Sequence, residues 1–84
     1  MLILTIFSRP GCHLCDEMKA VVRRVALDVP LTLDEVDISA VPALERQFGH
    51  EIPVLWLGSR ELARHRMDES RLRALLRAAA GRQH

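Results

Sequence analysis

The chain has no tyrosine, one tryptophan and two phenylalanines. So few aromatic side chains provide no row of platforms for stacking bases, and a net charge of +1 provides no strongly basic field. Nucleic acid is therefore not expected as a partner. Long apolar runs are missing too. The opening Met1-Leu2-Ile3-Leu4-Thr5-Ile6-Phe7 is apolar but short, lacks a basic lead-in and a cleavage site, and stops at Arg9-Pro10-Gly11. It reads as neither a signal peptide nor a membrane span, so the expected compartment is the cytoplasm, without membrane contact. No low-complexity stretch, internal repeat or linker occurs, and residues 1–84 are expected to form one domain.

Cysteine is scarce as well: Cys12 and Cys15 are the only two. A staple across so short a loop contributes only about 2 kcal/mol in the chain-entropy model, against about 3 kcal/mol for a fifteen-residue loop. Structural disulfides are also uncommon in the cytoplasm. The pair therefore points to redox or metal chemistry. Cys12-His13-Leu14-Cys15 follows a strand-like run and a Pro10-Gly11 turn, and a helix-period pattern begins behind it. A Cys-x-x-Cys in that place reads first as a dithiol/disulfide centre.

The chain gives the order β-α-β-α-β-β-α. Leu2 to Phe7 is a continuous apolar run suited to a strand buried on both faces. Leu14, Met18, Val21, Val22 and Val25 are spaced for a helix, with Asp16 and Glu17 early and Arg23 and Arg24 late, as its dipole favours. Pro30 closes that region. Leu31 to Ile38 reads as a second strand with a phase break at Asp34-Glu35. Ser39 is the expected cap of a helix that runs to Phe48, buries Val41, Leu44 and Phe48, and stops at Gly49. Pro53 to Leu57 is a third strand, Gly58-Ser59 a hairpin turn and Arg60 to Arg64 the return strand. Asp68 or Ser70 caps a last helix with a Leu72, Leu75, Leu76, Ala79 stripe, ended by Gly81. The first two strands should be parallel and the hairpin should add two more, with helices on both faces.

Cys12 falls at the expected N-terminus of the first helix. Unpaired N–H groups and the positive end of the dipole favour an anion there, lowering the thiol pKa toward neutral. Arg9 and any charge on His13 act in the same direction. Cys15 lies one turn further in, and so is expected to be more buried and to stay protonated. The division of labour follows: Cys12 attacks a disulfide, and Cys15 resolves the mixed disulfide.

These residues resemble a glutaredoxin of the thioredoxin-like superfamily, and most closely small bacterial glutaredoxin-like proteins reading Cys-x-Leu-Cys. The resemblance rests on Leu2–Phe7, the segment Ser8-Arg9-Pro10-Gly11-Cys12-His13-Leu14-Cys15, Glu35-Val36-Asp37-Ile38, Ile52-Pro53-Val54, the hairpin and the last helix. It implies an α/β thioredoxin-like fold, with a four-stranded mixed sheet flanked by three helices. It also implies a cis Pro53 beside the cysteines, with the Ile52 backbone offered to a bound peptide or glutathione. The implied activity is thiol–disulfide exchange with a protein or a low-molecular-weight thiol, by a monomer that needs no cofactor. The chain departs from the family in three places. His13-Leu14 replaces the usual Pro-Tyr, no Gly-Gly pair occurs, and Arg64-His65-Arg66-Met67 precedes Asp68, the one residue placed to stand for the family's glutathione-holding aspartate.

Other readings stay open. His13 suits either tuning of Cys12 or an exposed helix start. His50 reads as a solvated loop residue, and His65 and the terminal His84 show no ligand spacing. Cys12 and Cys15 from two chains would make a tetrahedral zinc or iron–sulfur site, with His13 and His50 as further candidates. A non-catalytic module sensing redox state through the same pair is a third class. Residues 60–84 carry seven arginines against Glu61, Asp68 and Glu69. That stretch reads as a solvated helix face rather than a docking site for acidic partners. Trp56 reads as core, or as partly exposed on the third strand.

Overall fold

Leu2, Leu4 and Ile6 alternate along β1 (Leu2–Ser8) with Ile3, Thr5 and Phe7, and the two sets face opposite layers. In the computed structural model, which describes residues 1–81, β1 lies inside a sheet of order β2-β1-β3-β4. Strand β2 (Leu31–Asp37) runs parallel to β1, with Leu4 opposite Leu33 and Ile6 opposite Glu35. Strand β3 (Val54–Leu57) pairs antiparallel to the other side of β1, and β4 (Arg60–Arg64) returns along β3 through a Gly58-Ser59 turn. Gly58 takes φ +58°, a left-handed conformation that favours glycine.

Three helices cover the sheet. On one face, α1 (His13–Ala26) and α3 (Glu69–Gly81) bury Met18, Val22, Val25, Leu72 and Leu76 against Leu2, Leu4, Ile6 and Leu55. Full burial of each large side chain contributes about 1.5–3 kcal/mol. On the other face, α2 (Pro42–Phe48) sets Phe48 against Phe7, with ring centroids 4.7 Å apart, and Trp56 closes edge-on to Phe7. This is the expected α/β thioredoxin-like arrangement, a four-stranded mixed sheet with three helices.

The structure corrects the reading of residues 37–49. The expected single helix capped by Ser39 is instead a short 3-10 turn, Ile38–Ala40, followed by α2. Asp37 is the cap: its Oδ1 accepts the Ser39 N–H at 2.9 Å and the Ser39 hydroxyl at 2.6 Å. Pro42 disfavours helical geometry at Val41, which sits extended at φ −129° and breaks the two turns apart. Val41 is consequently 41% exposed rather than buried. Gly49 stays right-handed, its N–H bonded to the Glu45 carbonyl, so no left-handed stop ends α2. The phase break at Asp34-Glu35 has a simple cause. Glu35 shares the α1 side of β2 with Leu31 and Leu33, but there it meets Lys19 instead of the apolar core.

The arginine-rich last quarter is partly neutralised across α1 and α3. Arg73 pairs with Asp28 and Glu69, and Arg24 pairs with Glu69 at 2.6 Å. His84 lies outside the described residues. No helix among those described is long and apolar enough to cross a membrane.

Candidate active site

The loop between β1 and α1 brings Cys12 to the helix N-terminus. Gly11 turns it with φ +79°, and the Cys12 N–H reaches back to the Arg9 carbonyl at 3.3 Å. Cys12 is extended at φ −85°, ψ 108°, and is the N-cap of α1. Its sulfur accepts the Cys15 backbone N–H at 3.1 Å, the bond a capping serine or aspartate would make. The Asp16 N–H closes the first helical turn on the Cys12 carbonyl. An N–H that meets a neutral sulfur here stabilises a thiolate more strongly, since charge-assisted hydrogen bonds are about twice as strong as neutral ones.

The two cysteines form a disulfide, with their Cα atoms 5.2 Å apart. Their environments differ as the sequence predicts. Cys12 is half-buried at the surface, whereas Cys15 is 1% exposed. An incoming sulfur can therefore reach Cys12 and is screened from Cys15.

The Ile52–Pro53 bond is cis. Phe7 pairs with Val54, and continuing that register sets Pro53 beside Ser8, at the sheet end from which the cysteine loop leaves. The resemblance implied both the isomer and its position near the cysteines. Pro53 is buried, Ile52 half-buried, and the Pro53 carbonyl accepts the His65 N–H at 2.8 Å. His65 stands at φ 66°, a conformation uncommon for a side chain with a Cβ.

The remaining candidates are dispersed. The Arg9 guanidinium bonds to Glu45 at 2.7 Å and to the Gly49 carbonyl at 3.1 Å, tying the cysteine loop to the end of α2. Its charge is therefore balanced by Glu45. His13 is an exposed helix-start residue, with its ring 3.6 Å from Glu17. Asp68 is the N-cap of α3, its carboxylate accepting the Arg71 N–H at 2.9 Å. His50 is exposed in the turn before Glu51. Among the described residues no three His, Cys, Asp or Glu side chains gather as a metal-binding group.

Sequence reading missed a polar cluster behind the loop. Ser8, 2% exposed, donates to Glu35 at 2.9 Å, and Lys19 donates to the same carboxylate oxygen at 2.7 Å. The Lys19 ammonium, with help from the Ser8 hydroxyl, holds the Glu35 carboxyl below the usual carboxylate range. The same bond raises Lys19 above the ordinary lysine value. The parallel register carries the signal: Glu35 falls opposite Ile6, on the side that α1 covers.

Comparison with known proteins agrees with this geometry. The glutaredoxin-like domain family (DUF836) matches residues 3–77. A Dictyostelium discoideum protein, described as a glutaredoxin-like protein YDR286C homolog, is 31% identical over 75 residues, which are 82% of this chain and 69% of that protein. Protein XcR50 of X. campestris, solved by X-ray diffraction, superposes with a TM-score of 0.76 at 36% identity, covering 89% of this chain and 96% of its own. Protein Ne2328 of Nitrosomonas europaea gives 0.77 at 30% identity, covering 89% and 91%. A mutant thioredoxin from Halobacterium salinarum shares the fold at 22% identity, with a TM-score of 0.63 over 92% of this chain and 73% of its own. The chain belongs to the glutaredoxin-like domain family.

Proposed function

We propose that the protein is a thiol–disulfide oxidoreductase in which Cys12 is the nucleophile and Cys15 the resolving thiol. The observation that carries this reading is the Cys15 N–H held 3.1 Å from the Cys12 sulfur, at the open end of α1. That group stabilises the anionic form of the thiol that solvent can reach. Family membership supports the same chemistry.

In the reducing direction, the Cys12 thiolate attacks one sulfur of a substrate disulfide. A Cys12–substrate disulfide forms, and the other substrate sulfur leaves as a thiolate. Cys15 then loses its proton and attacks the Cys12 sulfur. The Cys12–Cys15 disulfide forms, and the second substrate thiolate is released. Two electrons have passed from the dithiol to the substrate, and a thiol reductant returns the pair to its dithiol form. The Ile52 N–H already donates to the Phe48 carbonyl at 3.1 Å, so only the Ile52 carbonyl, ahead of Pro53, is assigned to meet the substrate backbone. The reading needs no bound cofactor.

Equilibration in glutathione redox buffers, with thiols counted by mass, tests the proposal. Reversible loss of two thiols is expected. A pair that neither oxidises nor reduces across that range contradicts it.

A further inference from the structure

We propose that His65 is a positioning residue for the Ile52 carbonyl, and that protonation of its ring tightens the hold on that carbonyl for a peptide substrate. This deepens the thiol–disulfide reading above and rests on it. His65 grips the chain on both sides of Ile52. Its backbone N–H donates to the Pro53 carbonyl at 2.8 Å, and its ring nitrogen Nε2 stands 3.3 Å from a Glu51 carboxylate oxygen. Ile52 itself is tied through its N–H to the Phe48 carbonyl at 3.1 Å. Its carbonyl is the group assigned above to the substrate backbone, and both of its chain neighbours are held by one residue.

The backbone at His65 is bent to make this grip. It takes φ 66°, and the Arg66 N–H closes around it on the Arg64 carbonyl at 2.7 Å. Three-residue turns with a left-handed centre are rare and strained, and a side chain with a Cβ adds to the cost. Such strain persists where the surroundings hold it, and it gathers at functional sites. Glycine would meet this conformation at less cost, but it has no ring to reach Glu51.

The two grips respond differently to pH. The backbone bond does not titrate. The ring pairs with Glu51 as an ion only when protonated, and an imidazole changes charge between about pH 5 and pH 8. Glu51 is the one carboxylate within ion-pair reach of the ring among the described residues. Arg64 approaches the same oxygen from 3.6 Å, but Glu61 holds it through two bonds, at 2.7 and 2.9 Å. Glu17 of α1 and Arg66 line the same groove as the ring, and Glu17 stands 3.6 Å from His13. A protonated ring therefore draws Glu51 to His65. A neutral ring leaves Glu51 to Arg64, and the second grip beside Ile52 loosens. The pair is half-exposed, so the effect is a factor of about two to five.

The test uses the Cys15→Ser protein and follows mixed-disulfide formation on Cys12 by mass, from about pH 5.5 to about pH 8. Two substrates are compared. One is the disulfide of acetyl-Ala-Cys-Ala-amide, an uncharged peptide. The other is hydroxyethyl disulfide, which has no peptide backbone. Ionisation of Cys12 changes both rates alike and cancels in their ratio. The peptide-to-hydroxyethyl ratio is expected to fall about threefold as the pH rises. His65→Asn, which tolerates the left-handed backbone, and His65→Gly, which favours it, are each expected to hold the ratio level across the range. A ratio that stays level in the parent, or the same fall in either His65 variant, would overturn the role of His65 and leave the exchange chemistry standing. No adduct with either disulfide at any pH would overturn the exchange chemistry, and this role with it.

Discussion

The backbone N–H of Cys15 points at the sulfur of Cys12 from 3.1 Å, the contact through which Cys15 would tune Cys12. Cys12 takes the capping position of α1, and Cys15 supplies the donor from inside the first turn. In the proposed mechanism the same N–H meets the Cys12 thiolate. Thiolate absorbance against pH in the Cys15→Ser protein should place the Cys12 transition well below the ordinary value of about 8.5. A transition at the ordinary value would remove the helix terminus as the source of reactivity.

Arg9 was expected to lower the Cys12 pKa, but its charge is balanced by Glu45 across the loop. Arg9→Gln should therefore leave the Cys12 transition nearly unmoved. It should lower stability by about 1 kcal/mol or less, as for a partly exposed ion pair. Thiol titration and urea unfolding of the same variant separate the two effects. A clear rise in the Cys12 transition would restore the direct electrostatic role.

Asp68 caps α3 in this structure. Asp68→Ala should cost about 1 kcal/mol of unfolding free energy and leave the rate of Cys12 alkylation unchanged. Loss of glutathione affinity without loss of stability would assign Asp68 to the ligand instead.

Glu35 has its carboxyl held below the usual range by Lys19 and Ser8, so its folded pKa is depressed. That stability is present above the unfolded pKa and is lost as pH falls through the folded one. Both groups keep some solvent contact, so the gain is modest, about 1 kcal/mol or less. Lys19→Met should be less stable than the parent near pH 7, and the gap should shrink as pH drops toward about 2. Urea midpoints across that range decide it, and a gap that holds constant into acid would contradict the assignment.

Most of the architecture was legible because periodicity and turn chemistry agree. β1 alternates between two apolar faces, α1 repeats at helical spacing, and Gly58 marks the hairpin. Residues 37–49 were misread because two local effects override the pattern. Asp37 competes with Ser39 for the capping role, and Pro42 bars Val41 from helical geometry. At the site, Cys12 and Cys15 were legible from spacing and placement. The cis geometry of Pro53 was legible only through the family resemblance, since residue type alone favours trans. The Ser8–Lys19–Glu35 cluster joins residues far apart in the chain and has no local signature. Arg9 shows the limit of charge counting: proximity in sequence to Cys12 did not reveal Glu45 as its partner.

The central claim is that Cys12 attacks and Cys15 resolves. The measurement that tests it most directly is mass analysis of the two single variants, Cys12→Ser and Cys15→Ser, after exposure to a substrate disulfide. The account predicts a stable mixed disulfide on Cys12 in the Cys15→Ser protein and no adduct in the Cys12→Ser protein. Adducts of equal yield on both variants, or an adduct confined to Cys15, would contradict it.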